Sequence, residues 1–295
     1  MEGVLRMASF ASKWLIDTAS LAKELDQPDL VLLDASWHLP HEKRDAKAEF
    51  LEAHIPGAQL FDIDEIADTD LGLPHMLPSP AKLSSRMRKM GIGDGARIVV
   101  YDTKGLFSAP RVWWMFRVMG KDDVAVLDGG LLKWRAEGRP TEDGPPVKRT
   151  ERHFTVRRNA ELVRDLDDVR AIVEGKASAQ LVDARSPGRF AGTEPEPRPG
   201  LRSGHIPGAR NLYFSDLVSK DGTLKSEPEL KAALARAGVD IARPVVASCG
   251  SGVTAGVIAF ALALLGHRQT SVYDGSWAEW GGRSDLAVET GPARS

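Results

Sequence analysis

Along the 295-residue chain, short unbroken runs of apolar and β-branched residues alternate with longer stretches whose apolar positions recur every three or four residues. Leu30–Asp34, Arg97–Tyr101 and Val124–Leu127 show the first pattern and are predicted strands, while Pro80–Met90 and Pro110–Met119 show the second and are predicted helices. The alternation returns later, with strands expected at Gln180–Asp183, Pro244–Ser248 and Thr270–Tyr273 and helices at Glu227–Ala237 and Gly252–Leu265. Strands apolar on both faces must be covered on both. The pattern therefore predicts an α/β fold built of mostly parallel sheets flanked by helices.

The recurrence is literal in places. His54-Ile55-Pro56-Gly57-Ala58 returns as His205-Ile206-Pro207-Gly208-Ala209, and Leu32-Leu33-Asp34-Ala35 as Leu181-Val182-Asp183-Ala184. Asp128-Gly129-Gly130 with Trp134 returns as Asp274-Gly275-Ser276 with Trp280, and the offset stays between 146 and 151 residues. Between the copies, Gly138 to Arg152 carries Pro140, Pro145 and Pro146 among polar and basic residues and reads as a semi-rigid linker. Two tandem domains are expected, over residues 14–141 and 160–290, each long enough to bury its own core.

Composition narrows the function classes. With 42% hydrophobic and 27% charged residues and a formal net charge of -2, the chain is an ordinary globular sequence without the basic surface that nucleic acid or an anionic membrane requires. Its longest apolar run, Val257 to Leu265, is far short of the roughly 20 residues needed to cross a bilayer. Met1 to Trp14 places Arg6 and Lys13 among apolar residues without a cleavable apolar core, which leaves room only for a weak presequence. A single cysteine excludes an internal disulfide and fits a reducing compartment, the cytoplasm. One Cys and seven scattered His show no ligand spacing, so neither a metal nor another cofactor is expected.

That cysteine, Cys249, follows a predicted buried strand, at the strand end where α/β sheets bind ligands. It opens Cys249-Gly250-Ser251-Gly252-Val253-Thr254-Ala255, which leads into an apolar helix. The glycines allow the backbone to curl around the sulfur, and the free amides at a helix start favour a thiolate or the outer sulfur of a persulfide. A lone Cys is more often a small buried hydrophobe, but a Gly-rich turn between strand and helix favours the nucleophile. Ser251, two residues on, is placed at the rim to exchange protons. A Cys-loop phosphatase would need Arg where Ala255 stands, and no basic residue occurs from Gly250 to Ala259.

On these residues the chain resembles the tandem-domain rhodanese family, from about Trp14 to about Val288. The resemblance rests on the two His-Ile-Pro-Gly-Ala segments, on Asp274 to Trp280, and on the Cys249 loop, which is similar to the active-site loop of the family's 3-mercaptopyruvate sulfurtransferases. Thiosulfate-specific members carry cations directly after the cysteine, where this chain has Gly250 and Ser251. The resemblance thus implies 3-mercaptopyruvate as donor, a Cys249 persulfide and release of pyruvate; thiosulfate as donor, and a non-catalytic module binding persulfides or proteins, are the alternatives. It implies that Arg189 and Arg198, in a Pro/Gly-rich segment absent from the first copy, hold the donor's carboxylate and carbonyl, a task suited to the guanidinium fork. It implies a relay of Ser251 with His75 and Asp64, which would set the site in a cleft between the halves, and a cradle formed by Gly250, Gly252, Val253 and Thr254. Arg185, His54 and His205 read as structural, and Trp113, Trp114 and Trp134 as core or interface aromatics. Asp102 aligns with Cys249 and cannot carry sulfane sulfur, so the first domain is expected to be non-catalytic. Cyanide, small thiols and thioredoxin are all chemically competent acceptors.

Overall fold

The computed structural model describes residues 12–293, so the presequence reading for Met1 to Trp14 lies almost wholly outside the described residues. Five strands make the first sheet: β1 (Leu15–Ile16), β2 (Leu30–Asp34), β3 (Gln59–Leu60), β4 (Arg97–Tyr101) and β5 (Val124–Leu127), in the order β1-β5-β4-β2-β3 and parallel throughout. The second repeats it with β6 (Val163–Arg164), β7 (Gln180–Asp183), β8 (Arg210–Asn211), β9 (Val245–Ser248) and β10 (Thr270–Tyr273), ordered β6-β10-β9-β7-β8. Both sheets are α/β layers as expected, and every residue of β2, β5, β7, β9 and β10 is buried. The edge strands are two residues long, too short to leave a periodic signal.

One expected boundary is corrected. The helix expected over Gly252–Leu265 spans Ala255–Leu264, because Gly252 has φ +79°, which a right-handed helix cannot contain. Residues 250–254 are thereby released to form the loop after β9. A smaller revision concerns the Pro/Gly-rich segment, which begins with a helical turn, Pro187–Ala191, capped by the Ser186 hydroxyl accepting from the Arg189 amide. Among the described residues, no helix is long and apolar enough to cross a membrane.

The two halves are fused along helices Ala109–Val118 and Ala255–Leu264. Their backbones approach so closely that a Cβ on Gly256 would lie 2.7 Å from the Arg111 nitrogen. Trp113 of the first helix meets Phe260 of the second edge to face, with centroids 4.9 Å apart. The largest buried apolar cluster accordingly draws on both halves. His54 and His205, buried against Phe50 and Phe190 at 3.9 and 3.7 Å, each bond the carbonyl of their stacking partner through Nδ1, the structural role expected of them.

Candidate active site

Cys249 stands at the carboxyl end of β9, 2% exposed. Its loop is fastened to the C-terminal Asp274–Trp280 turn. The Cys249 amide donates to Ser276 Oγ at 3.2 Å, while the carbonyls of Cys249 and Gly250 accept from the Trp277 and Ala278 amides at 2.9 and 2.8 Å. Among the described residues, the amides of positions 250–254 have no protein partner. The first half shows what such a loop can hold. Asp102, in the place of Cys249, accepts from the amides of Phe107, Ser108 and Ala109 through Oδ2 and of Lys104 through Oδ1, each at 2.9 Å. The loop geometry gathers amides on a negative charge. In the first half the chain supplies that charge itself.

Arg189 and Arg198 converge on this loop. A Cβ on Gly250 would fall 3.0 Å from Arg189 Nη2 and 3.9 Å from Arg198 Nη1, so this glycine supplies space for the two guanidinium groups. Arg189 donates through Nη2 and Nε to Glu196, at 2.6 and 3.2 Å. The buried Glu196 side chain also accepts from Arg185 Nη1 at 2.7 Å. Arg185 is spent on structure, as expected: it forks onto Asp183, donates to the Gly204 carbonyl and lies over the Trp277 ring at 4.4 Å. Burial is the largest influence on Arg198 and lowers its pKa; the nearby Cys249 works against it. It remains a cation.

The expected relay residues meet. His75 Nε2 lies 3.0 Å from Asp64 Oδ1, and His75 Nδ1 2.9 Å from Ser251 Oγ. With Nε2–H donating to the carboxylate, Nδ1 is left as the acceptor for the serine hydroxyl. Trp37 Nε1 donates to the other Asp64 oxygen at 3.0 Å and sets its ring edge-on to His75 at 4.7 Å. The hydrogen bond from His75 is the chief reason that the Asp64 carboxyl sits below the usual carboxylate range, ahead of the opposing effect of burial.

His75 has φ +60°, an uncommon conformation for a residue with a side chain, so its backbone must be held from outside. Arg111 and Asp274 hold it. Arg111 Nη2 donates to the His75 carbonyl and to Asp274 Oδ1, both at 2.6 Å, and Asp274 Oδ2 accepts from the Leu77 amide at 2.7 Å. Arg111, fully buried over Trp114, also reaches the Gly252 carbonyl through Nη1 at 3.4 Å. Glu196, Trp37, Arg111 and Asp274 were not assigned from the sequence. The one local signal was Arg111 near the start of the Ala109–Val118 helix, which is apolar apart from Arg111 and Arg117.

Above Cys249 opens a cleft of about 810 Å³ whose walls come from both halves, Trp37, Lys104 and Phe107 facing Arg189, Arg198 and Phe214. Ser251, Val253, Thr254 and Gly250 line it, whereas Gly252 turns its carbonyl toward Arg111 below.

Comparison with known proteins gives a consistent set of relatives. The model of the rhodanese-like domain matches residues 17–137 and again 165–283. A protein named 3-mercaptopyruvate sulfurtransferase from Escherichia coli K12 is 42% identical over 280 residues, covering 95% of this chain and 99% of that one. A mouse protein named thiosulfate sulfurtransferase is also 42% identical over 280 residues, covering 94% and 93%. The crystal structure of SseA from Escherichia coli, described as a 3-mercaptopyruvate sulfotransferase of rhodanese fold, superimposes with a TM-score of 0.83 at 39% identity, covering 90% of this chain and 99% of that chain.

Proposed function

The chain belongs to the rhodanese family, and from that premise we propose that it moves sulfane sulfur from 3-mercaptopyruvate, through a persulfide on Cys249, to a thiol or cyanide acceptor, releasing pyruvate. The observation that carries this reading is the convergence of Arg189 and Arg198 over Gly250, beside Cys249 and a loop whose amides have no protein partner among the described residues. Two planar cations suit a carboxylate with an adjacent ketone.

In this mechanism the arginines hold the donor with its sulfur against Cys249. The thiolate attacks that sulfur, an S–S bond forms, the C–S bond breaks, and its electron pair departs as the enolate of pyruvate. The proton of the donor thiol passes through Ser251 and His75 to the enolate carbon, which leaves a persulfide anion and pyruvate with atoms and charge balanced. Asp64 fixes the imidazole tautomer. The loop amides of Gly250, Gly252, Val253 and Thr254 stabilise the outer sulfur until a nucleophile removes it and restores the thiolate. Thioredoxin and small thiols both fit that last step.

The catalytic part is then residues 160–290, and 14–141 serves as scaffold and cleft wall, contributing His75 and Asp64. A lone unbridged thiol that must remain reduced suits the cytoplasm. Overall identity does not select the donor, since the mouse thiosulfate sulfurtransferase is as similar as the bacterial relative. The loop supports mercaptopyruvate, because no cation follows Cys249 as far as Ala259.

The test is kcat/KM for mercaptopyruvate and for thiosulfate with cyanide as common acceptor, on wild type and on Cys249→Ser. A mercaptopyruvate preference abolished in the variant is expected. A thiosulfate preference would overturn the donor, and residual transfer by the variant would overturn the nucleophile.

A further inference from the structure

We infer that Arg111 and Asp274 form a positioning clamp for the proton relay, setting His75 against Ser251 across the boundary between the halves. The inference rests on the sulfurtransferase reading above. Arg111 belongs to the first half and Asp274 to the second. Between them they bind the backbone that leaves the strained His75, the Arg111 guanidinium taking its carbonyl and the Asp274 carboxylate taking the Leu77 amide. The same guanidinium touches the carbonyl of Gly252, the residue after Ser251. One side chain therefore holds His75 by its own carbonyl and Ser251 through the carbonyl of the next residue.

A stabilising role explains the pair poorly. Burying an arginine and an aspartate costs much of what their attraction returns, and apolar residues of similar size usually serve stability as well or better. Arg111 is also left with Nε buried and without a partner among the described residues. What apolar substitutes cannot do is fix two carbonyls and an amide in one geometry.

Proton chemistry separates positioning from general support. Attack on mercaptopyruvate needs a proton moved from sulfur to carbon, whereas attack on thiosulfate expels sulfite and needs none. Loss of the clamp should therefore fall on one donor. In Arg111→Met, kcat with mercaptopyruvate is expected to drop about 100-fold, the range that general acid–base groups contribute, with KM changed less than about threefold and thiosulfate turnover largely kept. Arg111→Lys keeps a charge opposite Asp274 but lacks the fork, and is expected to show the same selective loss. Asp274→Asn gives the same readout should Arg111→Met fail to fold.

Equal losses on both donors would overturn the inference, as would full mercaptopyruvate turnover in Arg111→Lys, since either result reduces Arg111 to structural support. A wild type without mercaptopyruvate turnover would instead overturn the functional reading, and the clamp with it. The two failures are thus told apart by the wild-type assay alone.

Discussion

Gly250 and Gly252 stand two residues apart and should fail differently when given a side chain. Gly250 lies outside the left-handed region, and the one tight contact of an added methyl is with the movable tip of Arg189 at 3.0 Å. Gly250→Ala is expected to melt close to wild type while KM for mercaptopyruvate rises several-fold. Gly252, at φ +79° with Arg111 Nη1 2.8 Å from the missing Cβ, has no such escape; Gly252→Ala should cost about 1–2 kcal/mol from the backbone alone, read as a lowered Tm. A second residue-scale prediction concerns Asp34, whose pKa burial raises to about 6, against the hydrogen bonds of Ser36. Its folded value lies above the unfolded 3.8, so the folded state holds the proton more tightly, and stability from this group is lost as pH rises through about 6. Asp34→Asn should therefore gain Tm relative to wild type at pH 7.5 and lose that advantage at pH 5; a pH-independent difference would contradict the assignment. At this scale the sequence exposed residues that line the cleft, namely Cys249, Ser251, Arg189 and Arg198. It hid Glu196, Arg111 and Trp37, which act on other protein groups from distant parts of the chain, and no local pattern encodes such a meeting.

The elements obey the same distinction. The central strands and the helices between them were legible because burial on both faces writes a long apolar pattern. The two-residue edge strands write almost none, and the start of the last long helix was misplaced because a glycine at positive φ looks like any other glycine in a sequence. Where helices Ala109–Val118 and Ala255–Leu264 meet, the atoms facing Gly256 are backbone: Arg111 N and Cα at 2.7 and 2.8 Å. No rotamer change can relieve a side chain there. Gly256→Val is expected to cost about 2–3 kcal/mol through overpacking, seen as a lower Tm. Because Arg111 moves with that helix, mercaptopyruvate turnover should fall further than thiosulfate turnover, even at temperatures where the variant stays folded.

At the scale of the molecule, the repeat made two domains legible, but their docking follows from contacts of single side chains. The shared apolar cluster and the Arg111–Asp274 pair leave little for either half to do alone. Calorimetry is expected to give one unfolding transition in which both halves melt together, and two separated transitions would show the interface to be weaker than this packing implies. The halves also differ in a way that their common fold conceals. Asp102 is joined by its own backbone to the four amides it accepts from, so its local concentration cannot be diluted. A receptor cast around a permanent resident has no dissociation constant and no vacancy. The first half is a lock closed on a key it cannot release.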